Sequence, residues 1–130
     1  MRWKNKEAHK NMWKSILVDW SKFDDDTKAK IAAACLSGDN LDKMALAEPD
    51  NTLLCVQIAK NPHTMPLTMA FLASKGTIYV RELVAASERT PVETLEELAH
   101  DESSAVRSAV RKNPNTPEEV VREMIKNITA

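Results

Sequence analysis

Glycine is nearly missing from this chain, at 2 of 130 residues. A sheet protein closed by tight turns relies on that residue at left-handed positions, so the shortage points to helices. Aromatic residues are also few, with three Trp, two Phe and one Tyr. Two cysteines, Cys35 and Cys55, cannot supply a disulfide framework or a cysteine-rich metal site. Both lie in apolar segments with helical spacing, where free buried thiols in a reducing compartment are expected. Charge of one sign does not dominate either. A net charge of −1 and a pI near 6.3 exert no overall pull toward nucleic acid or anionic membrane. The longest apolar run, residues 31–36, is far below the ~18 residues that span a bilayer. Asp19 interrupts Ile16-Leu17-Val18 before a signal-peptide core can form, so a cytoplasmic location is expected. There is no Gly-rich phosphate loop, G-x-S-x-G, H-E-x-x-H or C-x-x-C, and His9, His63 and His100 are scattered. No catalytic residue, cofactor or metal ligand is assigned, and the chain reads as non-enzymatic.

What is abundant is self-similarity. Thr64, Thr90 and Thr116 are spaced 26 residues apart, as are Leu46, Leu72 and Leu98, each followed by an alanine; Met124 extends the leucine series. A fixed period of this size marks units that bury their apolar faces only by stacking on neighbours. With 43% hydrophobic and 28% charged residues, the chain is expected to form one all-α domain over residues 1–130.

Residues 3–22 predict one amphipathic helix, with Trp13, Ile16, Leu17 and Trp20 on a shared face. Solenoids need a terminal element with a polar outer side, so residues 1–23 are read as the amino-terminal cap. The alternative is an exposed surface of Trp3, Trp13, Trp20 and Phe23 that meets a partner or pairs two copies. Residues 24–47 read as a degenerate repeat. Its acidic start, Asp24-Asp25-Asp26, is read as a helix amino-terminal cap rather than a calcium loop, whose alternating ligands and glycine are missing. The helix from Thr27 turns Ile31, Ala34 and Cys35 inward and stops near Ser37-Gly38, and a shorter helix covers residues 40–47.

Residues 48–128 hold the regular repeats. Leu54 and Ile58, Val80 and Val84, and Val106 and Val110 occupy matching places in the first helix of each unit. Asn61-Pro62-His63-Thr64, Ser87-Glu88-Arg89-Thr90 and Asn113-Pro114-Asn115-Thr116 form the turns that follow. Thr90 and Thr116 are expected as N-caps, with Pro91 and Pro117 at the first helical position and Glu93 and Glu119 completing capping boxes. Asn61 and Asn113 are expected to act as turn formers.

The order Thr90-Pro91, Leu95, Leu98-Ala99, Asp101, Val106-Arg107, Ala109-Val110, Asn113-Pro114, Thr116-Pro117 resembles the leucine-rich repeat variant family, in style a relative of HEAT repeats. The likeness covers about residues 41–128 and is best in the last unit. It implies a right-handed superhelical solenoid in which an α-helix alternates with a shorter or 3-10 helix. Here the ~26-residue unit is a little longer than the family's usual one, which favours two-helix repeats. A founding member carries an iron–sulfur domain bound by clustered cysteines. Cys35 and Cys55 cannot supply that ligand set, so no cofactor is carried over.

The functional expectation is a protein-interaction scaffold or adaptor, in the form of an inhibitor or regulator of a partner protein, with a monomer favoured. Stacked repeats build extended surfaces, and the charge here is segregated into patches of both signs. The other reading is a HEAT-like nucleic-acid binder that stacks bases on Trp3 and Trp13 and sets Arg81, Arg107 and Arg111 on phosphates. Trp3, Trp13, Trp20, Arg81, Arg107, Arg111 and Lys112 are the candidate partner-binding residues. Against a functional arginine row stands a structural one, in which each guanidinium bridges to Glu82, Asp101 or Glu102.

Overall fold

The computed structural model describes residues 20–129, and Trp3, Trp13 and most of the expected cap lie outside that range. The described residues contain no strand. A short 3-10 helix, Trp20–Lys22, leads into eight α-helices: α1 (Asp25–Ala34), α2 (Gly38–Ala47), α3 (Thr52–Lys60), α4 (Pro66–Lys75), α5 (Ile78–Ala86), α6 (Val92–Leu98), α7 (Ser104–Lys112) and α8 (Glu118–Thr129). The odd-numbered helices pack on one another in sequence, α1 on α3, α3 on α5, α5 on α7. The even-numbered helices form a second, looser row beside them. A continuous row of odd-numbered helices with a second, looser row beside it makes an α-solenoid, as the period predicts.

The core runs through the length of the stack. Leu54 and Ile58, Val80 and Val84, and Val106 and Val110 are all fully buried between the rows, and Leu72, Leu98 and Met124 join them from the second row. Leu46 does not. It is 54% exposed, and Met44 and Ala45 are buried instead. The reason is a two-residue slip in the degenerate unit. Three residues, 35–37, precede α2 where five precede α4, and four residues follow α2 where two follow α4. The helix therefore arrives early and presents Leu41, Met44 and Ala45 where Met69, Leu72 and Ala73 stand one repeat later. In α1, likewise, Ala32 and not Ala34 faces the core.

Capping departs from expectation in an informative way. Asp24 does cap α1, its carboxylate accepting from the Thr27 N–H at 2.8 Å. Those hydrogen bonds hold the Asp24 carboxyl below its usual range. Thr90, by contrast, is not an N-cap: Pro91 takes that position, and no side chain caps α6. The Thr90 hydroxyl points backward and donates to the Val84 carbonyl at 2.5 Å, as Thr64 does to Ile58 at 2.5 Å and Thr116 to Val110 at 2.7 Å. Each threonine thus adds a second hydrogen bond to a carbonyl at the end of the preceding helix, which already accepts from the N–H of the residue that ends that helix. The capping boxes with Glu93 and Glu119 do not form. Gly38 also changes role, opening α2 behind the Ser37 cap instead of ending α1. A Cβ there would sit 2.7 Å from Met65 Cγ and 2.8 Å from the His63 carbonyl, so close approach of the next turn, not backbone conformation, demands glycine.

The asparagines do more than turn the chain. Asn61 donates through Nδ2 to the carbonyls of Ala32 and Cys35, both at 2.8 Å, and Asn113 to Ala85 at 2.8 Å and Ser87 at 2.9 Å. Each buried amide therefore ties the end of one odd-numbered helix to the end of the one before. The middle repeat has Ser87 at this position, too short to reach. There Arg89 supplies the two donors, to Asn61 O at 2.8 Å and Ala59 O at 3.1 Å. One interlock is thus built in three successive units with two different side chains.

Candidate partner-binding groove at the last repeat

The amino-terminal aromatic surface loses one member to the core. Trp20 is buried, edge-on to Phe23 with ring centroids 6.3 Å apart, and the Lys28 ammonium lies 5.5 Å from its ring centre. Its indole N–H donates to Glu48, which also pairs with Lys28 at 3.0 Å and accepts from Asn51 at 3.4 Å. Burial pushes the Glu48 carboxyl up, yet hydrogen bonds from Lys28, Trp20 and Asn51 outweigh it and hold the group below the usual glutamate range. Trp20 is part of the buried core and is not an exposed contact.

The arginines divide into two kinds. Arg81, its side chain only 13% exposed, grips Asp101 through both Nε and Nη2, at 2.8 and 3.2 Å, while Nη1 donates to the Gly76 carbonyl at 2.9 Å. This is the bridge to an acid that the repeat pattern allowed, and it takes Arg81 out of reach of a partner. Asp101 also accepts from the Ser103 N–H at 2.9 Å, which fixes the turn into α7. Arg107, one repeat later, starts the same way: its Nη1 donates to the Asp101 carbonyl at 2.6 Å. The carboxylate does not follow. Position 127, equivalent to Asp101, holds Asn127. Among the described residues no ion pair reaches Arg107, Arg111 or Lys112.

Arg107 and Arg111 are one helical turn apart on α7 and line an open groove of about 630 Å³. Met124, Asn127 and Ile128 of α8 form its other wall, and Asp101 and Glu102 its rim. The groove exists because α8 runs on to Thr129, whereas α6 stops at Leu98, 31 residues earlier against a repeat of 26. Arg111 takes the position held by Ala59 and Ala85, both buried under a following repeat. Lys112 lies elsewhere, in a second groove of about 450 Å³ between α5 and α7, with Glu82 and Glu88. The sequence-predicted basic residues therefore do not form one row. Asn127 and Ile128 were missed as groove residues; the signal available was the series Lys75, Asp101, Asn127 at the repeat spacing, set against Cys55, Arg81, Arg107.

The remaining reactive side chains are placed quietly. Cys35 and Cys55 are buried free thiols. Burial raises both, and the nearby Glu48 and Asp50 charges help lift Cys55 to about 11, so neither is a ready nucleophile. His63 Nδ1 lies 3.2 Å from Asn61 Oδ1 in a turn, and His100 is exposed. Among the described residues no three His, Cys, Asp or Glu side chains are grouped to hold a metal ion, and no helix is long and apolar enough to cross a membrane.

No curated protein and no solved structure matches the chain. A family model does: the leucine rich repeat variant matches residues 80–103, the stretch that holds Arg81, Thr90, Leu95, Leu98, Ala99 and Asp101. Leu95, Leu98, the Thr90 hydroxyl and the Arg81–Asp101 bridge thus all lie within the stretch that is similar to the leucine rich repeat variant.

Proposed function

We propose that the chain is a non-catalytic protein-interaction scaffold whose binding surface lies at its last repeat, and that it acts by occupying a partner protein as an adaptor or inhibitor. One observation carries the reading. Arg81 and Arg89 are spent on Asp101 and on backbone carbonyls, whereas Arg107 and Arg111 line an open groove and, among the described residues, make no ion pair. Arg107, half-buried and already held by the Asp101 carbonyl, costs little to order on binding, which favours an interface at this place.

The nucleic-acid reading needs a row of free cations. Arg81 is locked to Asp101, Arg89 to two backbone carbonyls, and Glu96, Glu119 and Glu123 line the groove on the adjoining side of α8. Acids so close to the free arginines repel a phosphate backbone, and the protein-partner reading is therefore preferred. Affinity capture with the full chain, with and without nuclease, tests it. A protein retained in stoichiometric amount after nuclease treatment is the expected result. Retention that vanishes with nuclease, or no stoichiometric protein in repeated captures, overturns the proposal.

A further inference from the structure

Resting on the protein-scaffold reading, we infer that the groove between α7 and α8 binds a carboxylate side chain from an acidic segment of the partner, gripped by Arg107 and Arg111. The repeat itself shows what this position takes. In the preceding unit Arg81 anchors Nη1 on a backbone carbonyl and turns its Nε and Nη2 edge to the two oxygens of Asp101. Arg107 makes a similar anchor, Nη1 on the Asp101 carbonyl at 2.6 Å, one residue earlier than the equivalent of Gly76, and leaves the Nε and Nη2 edge without a described partner. A guanidinium held by one nitrogen, with its forked edge free, is preorganised for a bidentate carboxylate.

Three further features define the occupant. Arg111 adds a second cation one turn along, at a position that inner repeats fill with buried alanine. Met124 and Ile128 make the opposite wall apolar, which suits an aliphatic side chain beside the acid. Asp101 and Glu102 at the rim oppose a dense run of phosphates but tolerate a single carboxylate placed between the arginines. The ligand class is therefore an acidic segment with interleaved aliphatic residues, not a nucleic acid.

The test uses the full chain labelled with ¹⁵N and reads the arginine Nε–Hε resonances. The probes are acetyl-Leu-Asp-Leu-Asp-amide, its counterpart with both aspartates replaced by asparagine, and a single-stranded oligonucleotide. The aspartate peptide should move the Arg107 and Arg111 signals saturably while the asparagine peptide leaves them in place. The exposed substitution Asn127→Asp adds a carboxylate in cis to the groove that Arg107 and Arg111 line, and should weaken the aspartate peptide about tenfold or more without loss of fold. Equal shifts from both peptides, no shift at all, unaltered affinity in Asn127→Asp, or an oligonucleotide that moves the same signals at lower concentration than the aspartate peptide would each overturn the assignment. If a partner protein is captured equally well by wild type and Asn127→Asp, the scaffold reading survives and the groove assignment alone falls. If no protein is captured, the scaffold reading falls.

Discussion

Single side chains decide how tightly one repeat holds the next. Asn113 is buried and donates to the Ala85 and Ser87 carbonyls, the first of them in a buried bond, so Asn113→Ala removes both donors and should cost about 1–3 kcal/mol in urea unfolding. Arg89 does the same work from an exposed position, and Arg89→Ala should cost about 1 kcal/mol. Adding Ser87→Asn to that variant should restore most of the loss; a double mutant no more stable than Arg89→Ala would show that the two side chains are not equivalent. The recurrence of Asn61 and Asn113 was legible in the sequence. Their task was not, because spacing along the chain does not tell which carbonyl an amide faces across a repeat.

Glu48 makes a second residue-level prediction, about pH. Its carboxyl is held low in the folded chain, so its contribution is fully present above the usual glutamate range and is lost as pH falls through the lower folded value. The urea midpoint should therefore drop from about pH 5 downward. Glu48→Gln should flatten part of that slope. Asp24 is also held low, by Thr27, and contributes equally in both proteins, so the difference between them isolates Glu48. Identical slopes for the two proteins would contradict the role given to the Trp20–Lys28–Glu48 cluster.

At the scale of helices, the period located the elements well, and it failed only where a loop changed length. The regular units match because each odd-numbered helix keeps its 26-residue register, as Ile58, Val84 and Val110 show. Leu46 was misplaced because the short turn before α2 advances that helix by two residues, a shift invisible to a count made from α1 to α3. The threonines were misread for a related reason. A Thr-Pro pair before a helix fits an N-cap on sequence grounds, but the hydroxyl can equally close the helix behind it, and burial of Thr90 selects the second. Leu98 is buried between units, and Leu98→Ala should cost roughly 2–5 kcal/mol through the cavity it opens. Glu96→Ala on the exposed side of the same helix is the control, expected within about 0.5 kcal/mol of wild type. Equal effects from the two substitutions would remove Leu98 from the stacked core.

For the molecule as a whole, the fold was readable from the sequence and the grouping of the candidate binding residues only partly so. Four described basic residues had been grouped by charge and recurrence: Arg81, Arg107, Arg111 and Lys112. Packing separates them, because Arg81 meets the Asp101 carboxylate, whereas Arg107 has Asn127 at the equivalent sequence position and lines an open groove. Arg107 and Arg111 remain together, Arg81 is structural, and Lys112 faces a different groove. Trp20 left the surface in the same way, by finding Glu48 and Phe23.

The most direct test of the groove between α7 and α8 as the binding surface is side-by-side affinity capture on wild type and Asn127→Asp, quantified for the same partner protein. The account predicts a protein retained by wild type after nuclease treatment and lost in large part from Asn127→Asp, whose added carboxylate fills the Arg107 position from within. Equal retention by both baits would contradict it.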